Sequence, residues 1–191
     1  MLREFEADDW RAVLVYQSDP RYLRYTPWTE RDEASVRAFV GEFIARQGDQ
    51  PRRVFQLAIT LPAAGEQLIG TCGLRVTNPQ QREGSIGYEL APDAWGRGYA
   101  TEAARAMLAF GFERLRLHRI WAECLAENGA SAHVLQKLGM RREAHFREHE
   151  HFKDRWWDSL VYAMLDHEWT GSANQPSLET VPEAPGGDHV G

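Results

Sequence analysis

Apolar residues recur along this chain in two periods, and the switches between them mark out its elements. From Glu30 to Gln47 the residues Val36, Phe39, Val40, Phe43 and Ile44 keep a 3.6-residue spacing with charges between them, which predicts an amphipathic helix ended by Gly48. Ahead of it, Asp8 and Asp9 stand where a cap belongs and predict a short helix to about Ser18, stopped by Asp19-Pro20. The period then changes to two. Phe55, Leu57 and Ile59 alternate with Val54, Gln56 and Ala58, and after a Pro-Ala-Ala-Gly turn a second strand runs from Leu68 to Val76, giving an antiparallel hairpin. Ser85 to Leu90 is the next strand, with Ile86, Tyr88 and Leu90 on one face, Gly87 and Glu89 on the other, and Pro92 at its end.

From Ala100 to about Leu115, residues Ala103, Ala104, Met107, Leu108, Gly111 and Leu115 trace one helical face. Arg119 to Leu125 reads as a strand, Asn128 to Leu138 as a helix stopped by Gly139, and 141–150 and 156–166 as two further strands. The predicted order is two helices, three strands, then helix, strand, helix and two strands, an α/β (α+β) pattern. Residues 170–191 carry Gly171, Pro176, Pro182, Pro185, Gly186 and Gly187 and no aromatic side chain, so they read as a disordered tail behind one domain at 1–169.

With 43% hydrophobic residues in 191, the chain can fill one core, whereas two domains would each be thin. The net charge of -6 disfavours a phosphate-neutralising nucleic-acid surface and suits a cationic partner. Cys72 and Cys124 each sit in an apolar segment, without metal-type spacing, and read as reduced cytosolic thiols. The start Met1-Leu2-Arg3-Glu4-Phe5-Glu6 lacks a signal-peptide core, and no run approaches the roughly 18 apolar residues of a membrane span, so a cytoplasmic location is expected.

The segment that carries chemistry is Trp95-Gly96-Arg97-Gly98-Tyr99-Ala100-Thr101-Glu102, between a strand and the long helix. Two glycines there let the backbone approach a ligand at a helix N-terminus, where bare N–H groups and the helix dipole favour an anion such as a pyrophosphate. A tight strand-to-helix turn is the structural alternative. The absence of a following Gly-Lys-Ser/Thr excludes a Walker-type loop.

Four blocks in order, Ile86-Gly87-Tyr88-Glu89-Leu90, Trp95 to Ala103, Asn128-Gly129-Ala130-Ser131 and Lys137-Leu138-Gly139-Met140, resemble the GNAT N-acetyltransferase superfamily on its Rim-type, ribosomal-protein N-terminal acetyltransferase-like branch. The similarity extends over roughly 1–167, including Trp156-Trp157-Asp158 and Val161-Tyr162. It implies a GNAT fold: a mixed, mostly antiparallel sheet of six or seven strands, splayed between the fourth and fifth and flanked by helices. It also implies acetyl-coenzyme A as co-substrate and a primary amine as acceptor, either a peptide N-terminus or a small molecule. By this resemblance the amides of Arg97, Gly98, Tyr99, Ala100 and Thr101 hold the pyrophosphate, with the Arg97 side chain as an extra charge partner. Leu90 offers backbone groups beside the thioester, pantetheine pairs like an added strand in the splay, and Asn128 anchors the cofactor. The general motif has Gln or Arg where Trp95 stands.

Glu89, on the strand leading to the cofactor, is the candidate acceptor of the amine proton, with Glu123 on the facing strand second. Ser131 is placed to donate to the leaving sulfur, since Leu135 occupies the position where many GNAT enzymes carry a tyrosine. The bland alternatives are a solvated strand carboxylate and a first-turn serine. Cys124 reads as a small core residue or as a thiol facing the acetyl group. His145, His149 and His151 fall on one face of a predicted strand, but nothing completes a metal set, so no metal is expected. Tyr25, Trp28, Trp156 and Trp157 are candidates for the acceptor side or for ordinary packing. A non-catalytic acyl-coenzyme A sensor and a mononucleotide-binding protein remain the competing functions, and monomer and homodimer are both compatible.

Overall fold

A computed structural model describes residues 1–62 and 65–171. The tail expected from 170 onward therefore lies almost wholly outside the described residues. Seven strands form one sheet: β1 (Leu2–Glu4), β2 (Val54–Leu61), β3 (Gln67–Asn78), β4 (Glu83–Leu90), β5 (Arg119–Leu125), β6 (Arg141–Phe152) and β7 (Arg155–Leu165). Their spatial order is β1-β2-β3-β4-β5-β7-β6, antiparallel throughout except for the parallel pair β4–β5. Helices α1 (Trp10–Gln17), α2 (Pro20–Leu23) and α3 (Glu33–Arg46) precede the central strands, α4 (Tyr99–Ala109) connects β4 to β5, and α5 (Gly129–Lys137) follows β5.

The alternation read from the sequence sorts side chains to two cores. Phe55, Leu57 and Ile59 of β2 point into the larger one with Ala104, Met107 and Leu108 of α4 and Leu135 of α5. Ala58 joins Trp10, Val13, Tyr22, Val36 and Val40, so α1–α3 cover the opposite face. Phe55 meets Phe110 edge-on at 4.9 Å, tying β2 to the end of the α4 segment. That segment runs on past Ala109 as one wide turn through Phe110–Arg114, in which the Leu115 N–H reaches back five residues to Phe110.

One strand is added to those read from the sequence, and one local reading is corrected. β1 has only three residues, too few to show a period, and it pairs with β2 at Leu2↔Ile59, Arg3↔Ala58 and Glu4↔Leu57. Arg3 grips Asp9 with two bonds of 2.7 and 2.8 Å, and Arg52 grips Glu4. Asp9 thus does not cap α1 through its side chain. It accepts from Arg3 and from the Glu6 N–H at 2.8 Å, within a short 3-10 turn that leads into the helix. Asp19 follows the end of α1 as expected, and it also caps α2 by accepting the Arg21 N–H.

The feature that positions the site is the parting of β4 and β5. They pair at Glu83↔Arg119, Gly84↔Ile120 and Ser85↔Trp121 and no further, although both strands continue. β4 is meanwhile held on its other side by β3 along its whole length. Gly70 of β3 allows this close approach: a Cβ there would stand 2.2 Å from the Glu89 carbonyl oxygen and 2.9 Å from Leu90 Cα. Gly70→Ala is expected to cost about 1–3 kcal/mol by overpacking, read as a lower urea midpoint with an unchanged slope.

Candidate active site

The strand-to-helix turn after β4 needs its glycines for backbone conformation. Gly96 and Gly98 sit at φ 74° and 87°, where an L side chain is strained, and a Cβ at either would meet nothing within 4 Å. Gly98 is the N-cap of α4 and provides no side-chain cap, and the first bond inside the helix is Glu102 N–H to Gly98 O at 3.0 Å. The N–H groups of Tyr99, Ala100 and Thr101 therefore lead the helix without an i−4 partner, under open space and beside the exposed Arg97. This is an anion cradle, and it fits a diphosphate.

Trp95 proves to be a brace. Its indole N–H donates to the Leu90 carbonyl at 2.9 Å, tying the turn to the end of β4. The Ala91 N–H bonds across to Ile69 O at 2.7 Å, so the preceding residue, Leu90, turns its own N–H and C=O away from β3 and toward the gap. Main-chain groups on β4 are thus aimed where an extended ligand could pair with them. On the far side of the gap Asn128 caps α5 by accepting the Ser131 N–H at 3.2 Å.

The two faces of the gap carry different chemistry. Extending the parallel register, Tyr88 stands across from Cys124 on the face covered by α4 and α5, and Gly87 stands across from Glu123 on the face of α1 and α2. On the first face the Tyr88 hydroxyl spans the gap to Ser131, 3.0 Å from its carbonyl and 3.1 Å from Oγ. Burial pushes the Tyr88 phenol well above its ordinary pKa, with the Ser131 bond acting against that shift. The Ser131 side chain also engages the Cys124 thiol, which burial raises. Cys72, fully buried, is pushed up to about 12.

On the second face three donors converge on Glu89. Tyr16 Oη and Gln17 Nε2 donate to Oε1 at 2.7 and 2.9 Å, and the Tyr22 hydroxyl donates to Oε2. Burial, then the Glu89 charge, push both phenols upward, so they act as donors. Gln17 is fully buried, and Arg31 Nε, seated over the Trp28 ring at 4.2 Å, donates to its Oε1 at 2.9 Å. Sequence reasoning missed Tyr16, Gln17, Tyr22 and Arg31. Their signal was weak because they belong to two helices and a loop more than fifty residues from Glu89.

Glu123 is exposed and lies 3.3 Å from His149 Nδ1. The expectation that the three histidines share a face is overturned by a bulge in β6: the register slips between Phe146 and Glu150, with Glu148 at φ 50°. His145 instead pairs with Asp158 at 2.7 Å, and His151 stacks on Trp156. Glu123, His149 and Glu150 place one ligand-type atom each within 4.8 Å of one another, all exposed.

Of the four aromatic candidates, Tyr25 and Trp157 meet edge-on at 6.2 Å, whereas Trp156 is exposed beside His151. The β6–β7 turn, with Lys153 and Asp154 at positive φ, reaches over α2, where Lys153 Nζ donates to Leu23 O at 2.6 Å. Arg155 pairs with Glu127 in the loop before α5. The hairpin thereby walls one end of the face on which Glu89 and Glu123 lie.

A sheet parted between parallel strands, with an uncapped glycine turn at the head of the intervening helix, defines a coenzyme A-type acyltransferase architecture. Residues 1–141 match the family model described as the acetyltransferase (GNAT) domain. The chain belongs to the GNAT acetyltransferase family. It is 36% identical over 169 residues to an uncharacterised N-acetyltransferase, YnaD, of Bacillus subtilis strain 168, covering 88% of this chain and 95% of that one. A GNAT-family acetyltransferase structure from Bacillus anthracis superposes with a TM-score of 0.74 at 34% identity, over 87% of this chain and 95% of that one. Spermidine N-acetyltransferase from Vibrio cholerae, solved with CoA and spermine, shares the fold at a TM-score of 0.74 and 21% identity, over 88% and 96% of the two chains. Among the described residues no helix is long and apolar enough to cross a membrane.

Replacing Gln17 by Leu removes both bonds that join Glu89 to Arg31 and leaves a half-buried guanidinium short of a partner. The expected loss is about 1–3 kcal/mol of stability, measured by urea unfolding.

Proposed function

We propose that this protein transfers an acetyl group from acetyl-coenzyme A to a primary amine by direct attack in a ternary complex, on the Rim-type branch of its family. The observation that carries this reading is the gap between β4 and β5, flanked by the bare first turn of α4 and by strand groups of Leu90 that face into it. The main-chain donors from Arg97 to Thr101 would hold the diphosphate, with the Arg97 guanidinium beside them and Asn128 across the gap. The thioester supplies an activated acyl carbon, and the chain's residues supply position and protons.

Glu89 is the proposed acceptor of the amine proton, directly or through a water. A carboxylate offers roughly four lone-pair directions, and Tyr16, Gln17 and Tyr22 use three, so one stays for an incoming N–H. Glu123 is the second candidate. Ser131 donates to the departing sulfur. The acceptor is proposed to be a cationic amine, a small molecule or a peptide N-terminus, because Glu89, Glu123 and Glu150 give its approach a negative potential. The polyamine named with the Vibrio cholerae enzyme is an amine of this kind.

An acceptor panel that detects released thiol tests the reaction, and a thermal-shift comparison of acetyl-coenzyme A with ATP and NAD tests the cofactor. Stabilisation by acetyl-coenzyme A alone is expected, and stabilisation only by ATP or NAD contradicts the reading. Gly98→Ala, forced into a left-handed conformation that costs about 1–2 kcal/mol, should weaken acetyl-coenzyme A binding roughly tenfold by calorimetry. Glu89→Gln should lower kcat/KM by about 10²–10⁴-fold while leaving that affinity unchanged.

A further inference from the structure

On α5, Leu135 is 1% exposed and packed into the core, so it offers nothing to a leaving group. The gap is not without a phenol, however. Tyr88 rises from β4, on the opposite wall, and its hydroxyl crosses to Ser131 at 3.0 Å from the carbonyl oxygen and 3.1 Å from Oγ. No other side-chain contact among the described residues joins β4 to α5 in this way.

We propose that Tyr88 is the positioning residue for Ser131: its hydroxyl holds the serine so that the serine proton points into the gap, toward the sulfur that leaves. This deepens the acetyl-transfer reading and rests on it. A serine hydroxyl alone rotates freely among its staggered positions. In the proposed state the phenol, which reaches both the Ser131 carbonyl and Oγ, shares its one proton between them, so that the serine's own proton is directed elsewhere.

In the step this serves, the nitrogen lone pair attacks the thioester carbon, the C–N bond forms and the carbonyl pair moves to oxygen. As the carbonyl re-forms, the C–S bond breaks and its electron pair goes to sulfur. Ser131 gives its proton to that sulfur and is refilled by the second proton that nitrogen sheds, the first having gone to the base before attack. Tyr88 keeps its proton throughout. Burial raises the phenol, with Cys124 of β5, Cys72 of β3 and Tyr162 of β7 adding to the shift and the Ser131 bond of α5 opposing it, which keeps it protonated across the working range. Those neighbours include no side chain that is charged near neutral pH.

Calorimetry with free coenzyme A and with desulfo-coenzyme A, which lacks the thiol, reads the contact without turnover. The unaltered protein should bind coenzyme A about fivefold to tenfold more tightly than the desulfo compound, as one hydrogen bond to a partly charged sulfur would give. Tyr88→Phe and Ser131→Ala should each abolish that preference and leave desulfo affinity unchanged, which also shows that the variants fold. In turnover, each should lower kcat by roughly 10–100-fold, and the double variant should fall no further than the worse single one. With acetyl-coenzyme A carrying selenium in place of sulfur, whose selenolate leaves without a proton, the deficit of Tyr88→Phe should shrink to within about twofold. Should that variant fail to fold, 3,5-difluorotyrosine at position 88 keeps the hydroxyl, strengthens it as a donor, and should widen the coenzyme A preference. A preserved preference in Tyr88→Phe, an equal loss on thioester and selenoester, or no response to the fluorinated side chain overturns the proposal. If the unaltered protein releases no thiol with any amine, the acetyl-transfer reading fails, while the desulfo comparison still decides the role of Tyr88.

Discussion

The site depends on one constraint: β4 has hydrogen-bonding groups for two neighbours and is given only one and a half. β3 pairs it to the end, with Gly70 clearing the space for Glu89 and Leu90. β5 pairs it for three residues and then departs toward β7, which holds β5 along its full length. The backbone groups left on β4 form a strand edge with no strand partner inside a sheet, normally a liability, and the Leu90 carbonyl is met by the Trp95 indole. Here they lie beside a helix whose own first turn is also unsatisfied, and the two deficits converge on one groove.

In the proposed mechanism the same parting separates the proton acceptor from the proton donor. Side chains alternate across a strand, so adjacent residues Tyr88 and Glu89 are sent to opposite faces. Tyr88 joins Ser131 and Cys124 under α5, and Glu89 joins Tyr16, Gln17 and Tyr22 beneath α1 and α2. In the proposed mechanism the amine's first proton leaves on one face and the proton for sulfur comes from the other, and the strand's pleat separates the two groups without any loop having to arrange it.

Periodicity made the sheet and its long helices legible, because side-chain burial repeats at 2.0 and 3.6 residues and both periods persist from Val54 to Leu125. The glycine turn was legible because only glycine sits comfortably at the φ values of Gly96 and Gly98. What escaped has a common cause in contacts between residues remote in sequence, which no local pattern records. The Glu89 cradle draws on positions 16, 17 and 22, and the Tyr88–Ser131 bond spans 43 residues. A bulge in β6 that inserts two residues left His149 outside the ladder, between His145 opposite Leu160 and His151 opposite Trp156, and β1 was too short to show any phase at all. Trp95, whose side chain departs from the general family motif, turned out to hold the turn to Leu90 through its indole.

The most direct measurement of the central claim is a structure of the protein with coenzyme A. The account predicts the diphosphate on the N–H groups of residues 97–101 and the pantetheine arm along Leu90 between the parted strands, with its sulfur beside Ser131. A ligand bound elsewhere, or a gap that closes into continuous β4–β5 pairing in its presence, would contradict it.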